Sequence, residues 1–135
     1  MIYSFDEQLF DANLLFVKAI INDYILTFDI DSGSSYNIIF HDAYEVLKDS
    51  FEKTDKSINV LGIDGKYQES PIVSTNLYFD DNAYKTEFQV INALDAASNV
   101  EKEYGIQFHG ILGVQFLKDN NCVIDFANKT IKIGK

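Results

Sequence analysis

Short apolar runs, each closed off by a turn rich in Asn, Asp or Gly, constrain this chain more than any other feature of it. Residues 14–21 and 24–30 flank the pair Asn22-Asp23. Such residues tolerate the left-handed backbone of a two-residue hairpin turn, so two antiparallel strands are expected there. The same pattern recurs three times. Residues 57–62 and 67–74 flank Ile63-Asp64-Gly65-Lys66, 77–79 and 84–91 flank Asp80-Asp81-Asn82, and 122–126 and 130–133 flank Ala127-Asn128-Lys129. Residues 36–40 form a further short run. Helical spacing is confined to 41–50, with Ala43, Val46 and Leu47 on one face, and to 113–119, while 93–104 reads as a loop or short helix. The fold class is therefore all-β, a closed or nearly closed barrel with one or two short helices.

At 135 residues the chain suits one domain, spanning 1–135 with its core at about 14–133. Hydrophobic residues make up 47%, enough to bury an independent core. Twenty-one acidic residues oppose eleven lysines and no arginine, for a net charge of −10. That balance repels phosphate backbones and anionic lipid, so neither nucleic acid nor a membrane surface is expected as a partner. No apolar run reaches the roughly 18 residues of a membrane helix. The acidic start, Met1 to Glu7, lacks the basic region of a signal peptide, which makes the cytoplasm the default expectation. The single cysteine, Cys122, excludes an internal disulfide, and two histidines, His41 and His109, offer little for zinc. No metal or other cofactor is expected.

The chemistry concentrates at Phe28-Asp29-Ile30-Asp31-Ser32-Gly33-Ser34-Ser35, where a hydrophobic strand runs into a carboxylate and then into hydroxyls around a glycine. Asp, Ser and Gly are also what an ordinary turn prefers. A calcium loop counted from Asp29 would need Gly at its sixth position and Glu at its twelfth, where Ser34 and Phe40 stand. A magnesium-dependent phosphatase could use Asp29 and Asp31 with Asp80-Asp81 and Lys66, but its scaffold alternates strands with long helices.

Asp31-Ser32-Gly33-Ser34 resembles, position by position, the active-site motif of the retropepsin-like aspartic proteases. Two further features occur in the order that family has them. Leu61-Gly62-Ile63-Asp64-Gly65-Lys66 stands where its flap hairpin would be. Gly110-Ile111-Leu112-Gly113-Val114-Gln115-Phe116-Leu117, followed by Cys122-Val123-Ile124-Asp125-Phe126, stands where its late glycine loop, short helix and closing strands would be. The resemblance implies an acid-protease barrel and an aspartic endopeptidase with Asp31 as catalyst. It assigns Ser32, Gly33 and Ser34 to the active-site loop. Gly62, Ile63, Asp64 and Gly65 would form the flap over a polypeptide substrate, and Ile111, Leu112 and Gly113 the glycine loop.

Two close carboxylates share one proton and so supply both the base and the acid that amide hydrolysis needs. Only one Asp-Ser-Gly occurs, so the second carboxylate would be Asp31 of another copy in a symmetric homodimer. In this reading Gly33 allows a tight bend and the Ser34 hydroxyl donates to the carboxylate. Retroviral relatives brace the dimer with an arginine after the late glycine, where this chain has Val114. A non-catalytic binding or dimerisation module of the same fold is the alternative function. Asp29, His109 and Asp125 read as structural, Cys122 as a small buried hydrophobe, and Asp64 and Lys66 as flap-tip residues.

Overall fold

In the computed structural model, which describes residues 1–61, 65–92 and 94–134, the hairpins expected from the turn residues form. β2 (Phe16–Ile21) and β3 (Tyr24–Ile30) pair antiparallel about Asn22 and Asp23, whose φ angles of 47° and 69° are both left-handed. β6 (Tyr67–Phe79) and β7 (Asn82–Ile91) meet at Asp80-Asp81, with Asp80 at φ 51°. β5 (Glu52–Leu61) pairs with β6, with a register shift between Lys53 and Ser57. The strands expected at 67–74 and 77–79 are one. Thr75 and Asn76 pair with Thr86 and Lys85, and the Thr75 hydroxyl donates to Ser50 O at 2.7 Å, so these polar residues extend the ladder instead of ending it.

β4 (Ile38–Phe40) and β8 (Gly110–Leu112) complete the large sheet, whose strand order is β2-β3-β8-β4-β7-β6-β5. Pairing of Ile20 with Tyr78 joins β2 back to β6, which closes six strands into a barrel and leaves β5 outside the closure. The interior is apolar and aromatic: Leu26, Phe28, Ile39, Val73, Leu77, Phe88, Leu112 and Phe116 are buried in one cluster. Alternation along β3 sends Leu26, Phe28 and Ile30 inward and leaves Thr27 and Asp29 on the outer face.

β1 (Ile2–Ser4), β9 (Val123–Asp125) and β10 (Thr130–Lys132) form a second sheet in the order β1-β10-β9. The N-terminal segment, given no role by pattern, is thus part of the fold. Its helix α1 (Glu7–Asp11) is capped by the Asp6 carboxylate, which accepts from Leu9 N–H at 2.9 Å, and Leu9 is fully buried.

α2 (His41–Leu47) lies within the expected 41–50 helix and passes into a 3-10 turn, Lys48–Ser50. It buries Tyr44 and Leu47, while Val46 is 70% exposed, contrary to the face expected from spacing. Tyr44 takes that inward position by packing edge-on to Phe51. α3 (Leu94–Tyr104) makes the ambiguous 93–104 segment largely helical, and α4 (Val114–Asp119) falls where a short helix was expected. No helix among the described residues is long and apolar enough to cross a membrane.

Candidate active site

β3 delivers Asp31 to the end of the barrel wall. Its N–H donates to Leu112 O at 3.0 Å, one step after Ile30 pairs with Leu112 on β8. The chain then turns sharply, Ser34 N–H returning to Asp31 O at 3.1 Å. Gly33 N–H donates to Asp31 Oδ1 at 2.8 Å and holds one face of the carboxyl group. A β-carbon on Gly33 would sit 3.1 Å from that same oxygen. Close quarters beside the carboxylate therefore favour glycine there, since a β-carbon would push the Asp31 side chain aside by a few tenths of an ångström. The expected bend does not: Gly33 is not among the positive-φ glycines.

The late glycine loop packs directly on this turn. A β-carbon on Gly113 would lie 2.5 Å from Tyr36 O and closer still to Ser34 O, both backbone atoms that have nowhere to go. The first N–H groups of α4, which have no partner within a helix, are given to the turn. Val114 N–H donates to Ser34 O at 2.7 Å and Gln115 N–H to Ser35 O at 3.2 Å. Asn37, 2% exposed, completes the lock: its Oδ1 accepts from Gly113 N–H at 2.9 Å and from Phe116 N–H at 3.3 Å. Its Nδ2 donates to Glu87 O at 3.0 Å, and its own C=O accepts from Gln89 N–H at 2.8 Å, tying loop and helix to β7. Sequence reading passed over Asn37, whose only local signal is a polar residue entering an apolar strand.

The Ser34 hydroxyl donates to Tyr36 O at 2.8 Å. It stabilises the turn and is not directed at the carboxylate as expected. Ser32 lies exposed in the turn. Leu112 is fully buried in the core, and Ile111 faces outward next to Asp29. Gly65 has φ +77°, a left-handed conformation suited to the hairpin between β5 and β6. Gly62, Ile63 and Asp64 lie outside the described residues.

Around the turn the ionisable groups divide by environment. Burial, and secondarily the charge of Asp31, push the Asp29 carboxyl up to about 7. Burial lowers His109, whose Nδ1 accepts from Thr27 N–H at 2.9 Å, so it serves as a neutral brace between β3 and β8. Cys122 is half-buried against the core instead of fully buried as expected, and desolvation still raises its thiol to about 11, the behaviour of an unreactive group. Asp125 accepts from Asn128 N–H at 3.0 Å and from Asn128 Nδ2 at 2.7 Å, closing the turn before β10. Asp80-Asp81 follows Tyr78, which pairs with Ile20, so Asp80 lies level with Lys18 and beside Thr27, about four strand residues (roughly 13 Å) from Asp31. Among the described residues no three of His, Cys, Asp and Glu come together as metal ligands. Those carboxylates cannot join Asp29 and Asp31 around one magnesium ion, and the barrel lacks a phosphatase's strand-helix alternation.

No protein-family model matches the sequence, and no curated protein does. Solved structures do. The retroviral protease-like domain of Ddi1 from Leishmania major aligns with a TM-score of 0.64 at 18% identity, over 89% of this chain and 87% of that one. A retropepsin-like aspartic protease from Rickettsia conorii aligns with a TM-score of 0.57 at 14% identity, over 97% of this chain and 95% of that one. The fold is retropepsin-like. The EIAV protease, solved with an inhibitor, aligns with a TM-score of 0.51 at 19% identity, over 78% of this chain and 86% of that one. Within the retropepsin-like fold, the loop that carries Asp31 is the one braced by α4, Asn37 and Gly113.

Proposed function

We propose that this chain is one half of an aspartic endopeptidase, residues 1–135 forming a single domain that becomes a catalyst as a homodimer. The observation that carries the proposal is the fixed presentation of Asp31. Its carboxyl group stands at the strand end, held by Gly33 N–H on a turn immobilised by α4 and Asn37. The Asn37 and Gly113 contacts stabilise the loop, but among the described residues the Asp31 carboxylate itself accepts only from Gly33 N–H in the turn and pairs with no core group, so its presentation at the strand end is best explained by chemistry.

A two-fold axis through the turn would bring two Asp31 carboxylates about 3 Å apart, close enough that they share a single proton. The charged one takes a proton from a water lying between them. The resulting nucleophile adds to the peptide carbonyl while the protonated carboxyl gives its proton to the carbonyl oxygen. Collapse of the tetrahedral intermediate breaks the C–N bond as the amine leaves with a proton. The polypeptide would lie extended beneath the β5–β6 hairpin, held by backbone hydrogen bonds.

Asp31→Asn tests this directly. The amide oxygen can still accept from Gly33 N–H, so melting temperature and sedimentation should be unchanged while peptide hydrolysis falls by about 10²–10⁴-fold or more. Specific activity of the unaltered protein should drop on dilution through the dimer dissociation range and return on concentration. Equal turnover by the Asn variant, or constant specific activity where sedimentation finds only monomer, would overturn the proposal. Total inactivity of a stable dimer would favour the non-catalytic module.

A further inference from the structure

Across the outer face of the barrel, the β-ladder registers align a row of side chains from four neighbouring strands. Phe16 on β2 is opposite Asp29 on β3, Asp29 is level with Ile111 on β8, and Ile111 is opposite Ile38 on β4. None of the four belongs to the interior cluster, since their strand neighbours Val17, Phe28, Leu112 and Ile39 fill it. Phe16 is held by stacking on Phe108 at 5.0 Å between ring centroids. Asp29 is the one polar member of this apolar row. Among the described residues its carboxylate has no hydrogen-bond or ion-pair partner, and it is half-buried, so it remains reachable.

Asp29 precedes Asp31 by two residues and points to the same side of the strand, about 7 Å along the chain. We infer that Asp29 is a specificity-determining residue, a carboxylate that receives the cationic side chain of a Lys or Arg flanking the scissile bond. This rests on the protease function proposed above. The reach fits: an extended Lys or Arg stem spans about the Asp29–Asp31 separation, with its methylenes over Ile111 and its charge on Asp29. A net charge of −10 on the whole chain further draws basic peptides to the site. Two-fold symmetry places one Asp29 on each side of the scissile bond, so a basic residue is accepted on either flank and a dibasic pair fits best.

A carboxylate in an apolar setting stays protonated until its pH is raised, and Asp29 ionises near pH 7 in the unliganded chain. Asp31 is the charged group that bears on it. Lys18, exposed on the same face of β2 and opposite Thr27, is the nearest cation in the ladder. The preference for basic side chains should accordingly strengthen as pH rises from 5.5 to 7.5.

The experiment compares the dimeric protein with Asp29→Leu and the near-isosteric Asp29→Asn on a peptide series differing only in the flanking residues (Lys, Arg, Leu, Phe, Glu). The unaltered protein should cleave Lys and Arg peptides at least ten times more efficiently than Leu peptides at pH 7.5, with a smaller ratio at pH 5.5. Both variants should lose that ratio, and Asp29→Leu should invert it, with KM for Leu peptides falling. Asp29→Asn guards against a folding defect in Asp29→Leu. Cleavage by all three proteins with the same side-chain preference overturns the assignment of Asp29 and leaves the protease intact. No cleavage by any of them, in a dimer confirmed by sedimentation, overturns the protease itself and this inference with it.

Discussion

Asn37→Ala should unlock the loop that carries Asp31, and its cost can be built from the bonds it removes. The truncation leaves Gly113 N–H, Phe116 N–H and Glu87 C=O without the Asn37 amide, two of them in the buried interior. A buried donor stripped of its partner costs about 1–3 kcal/mol. The Gly113 bond at 2.9 Å belongs in the middle of that range and the longer Phe116 bond at 3.3 Å at its low end. Glu87 C=O is only part-buried and adds about 0.5 kcal/mol. The sum is about 3.5 kcal/mol. With a urea m-value of about 1.5 kcal/mol/M the unfolding midpoint should fall by about 2 M. The melting temperature should fall by roughly 10 °C. The fitting control is Val46→Ala, which sequence periodicity placed on the buried face and the structure leaves 70% exposed. It should stay within about 0.5 kcal/mol of the unaltered protein. Both variants are measured at one protein concentration, because association shifts apparent stability. A midpoint for Asn37→Ala within 0.3 M (about 0.5 kcal/mol) of the unaltered protein would refute the lock as described.

Three further outcomes follow from the same geometry. Asp29 has its folded-state value raised to about 7 from 3.8, so the folded protein binds the extra proton: its contribution is full below pH 4 and is lost as pH rises through 7. Asp29→Asn should therefore gain stability relative to the parent between pH 4 and pH 8, by about 1–2 kcal/mol after solvent screening, and a pH-independent difference in urea midpoints would contradict this. Cys122, at about 11, should be about 0.1% thiolate at pH 8, so iodoacetamide should label it roughly 100 times more slowly in the native protein than in urea; equal rates would show the thiol to be accessible. Gly65→Val forces a β-branched residue to φ +77° with no atom within 4 Å of its β-carbon, so strain is confined to the hairpin. Peptide-cleavage efficiency should drop several-fold while the melting temperature falls by no more than about 3–7 °C, and full activity would remove the hairpin from substrate binding.

What could be read from sequence was whatever local chemistry dictates. Asn22-Asp23 and Asp80-Asp81 announce hairpins because Asn and Asp tolerate left-handed backbone, and those turns formed. The β9–β10 turn was equally legible through Ala127-Asn128-Lys129, where Lys129 has φ 56°. What local chemistry does not dictate was misjudged. Thr75 and Asn76 looked like a break, yet partners on β7 and the Ser50 carbonyl absorb their polarity. Val46 and Tyr44 exchanged places because Phe51, beyond the end of the helix, offers a ring surface to only one of them. The N-terminal residues were given no role, because their place in the fold depends on β10, more than 120 residues away.

The candidate site divides along the same line, and the division explains how such a site tolerates divergence. Asp31 and Gly33 form a contiguous motif and were legible; the Ser34 hydroxyl was misassigned because its acceptor, Tyr36 O, is a backbone atom with no sequence signature. Of the contacts that fasten α4 to the turn, Val114 to Ser34 and Gln115 to Ser35 run from backbone to backbone and are indifferent to side chain. Only two positions in the lock are restricted by identity. Gly113 is restricted because a β-carbon would strike two carbonyl oxygens, and Asn37 because one buried side chain must both accept and donate. A loop held mainly by main-chain groups can keep its shape while most residues around it change. The retropepsin-like fold accordingly persists at the low identities of its structural neighbours. Val114 likewise serves the turn through its N–H alone, a contact that any residue except proline could make.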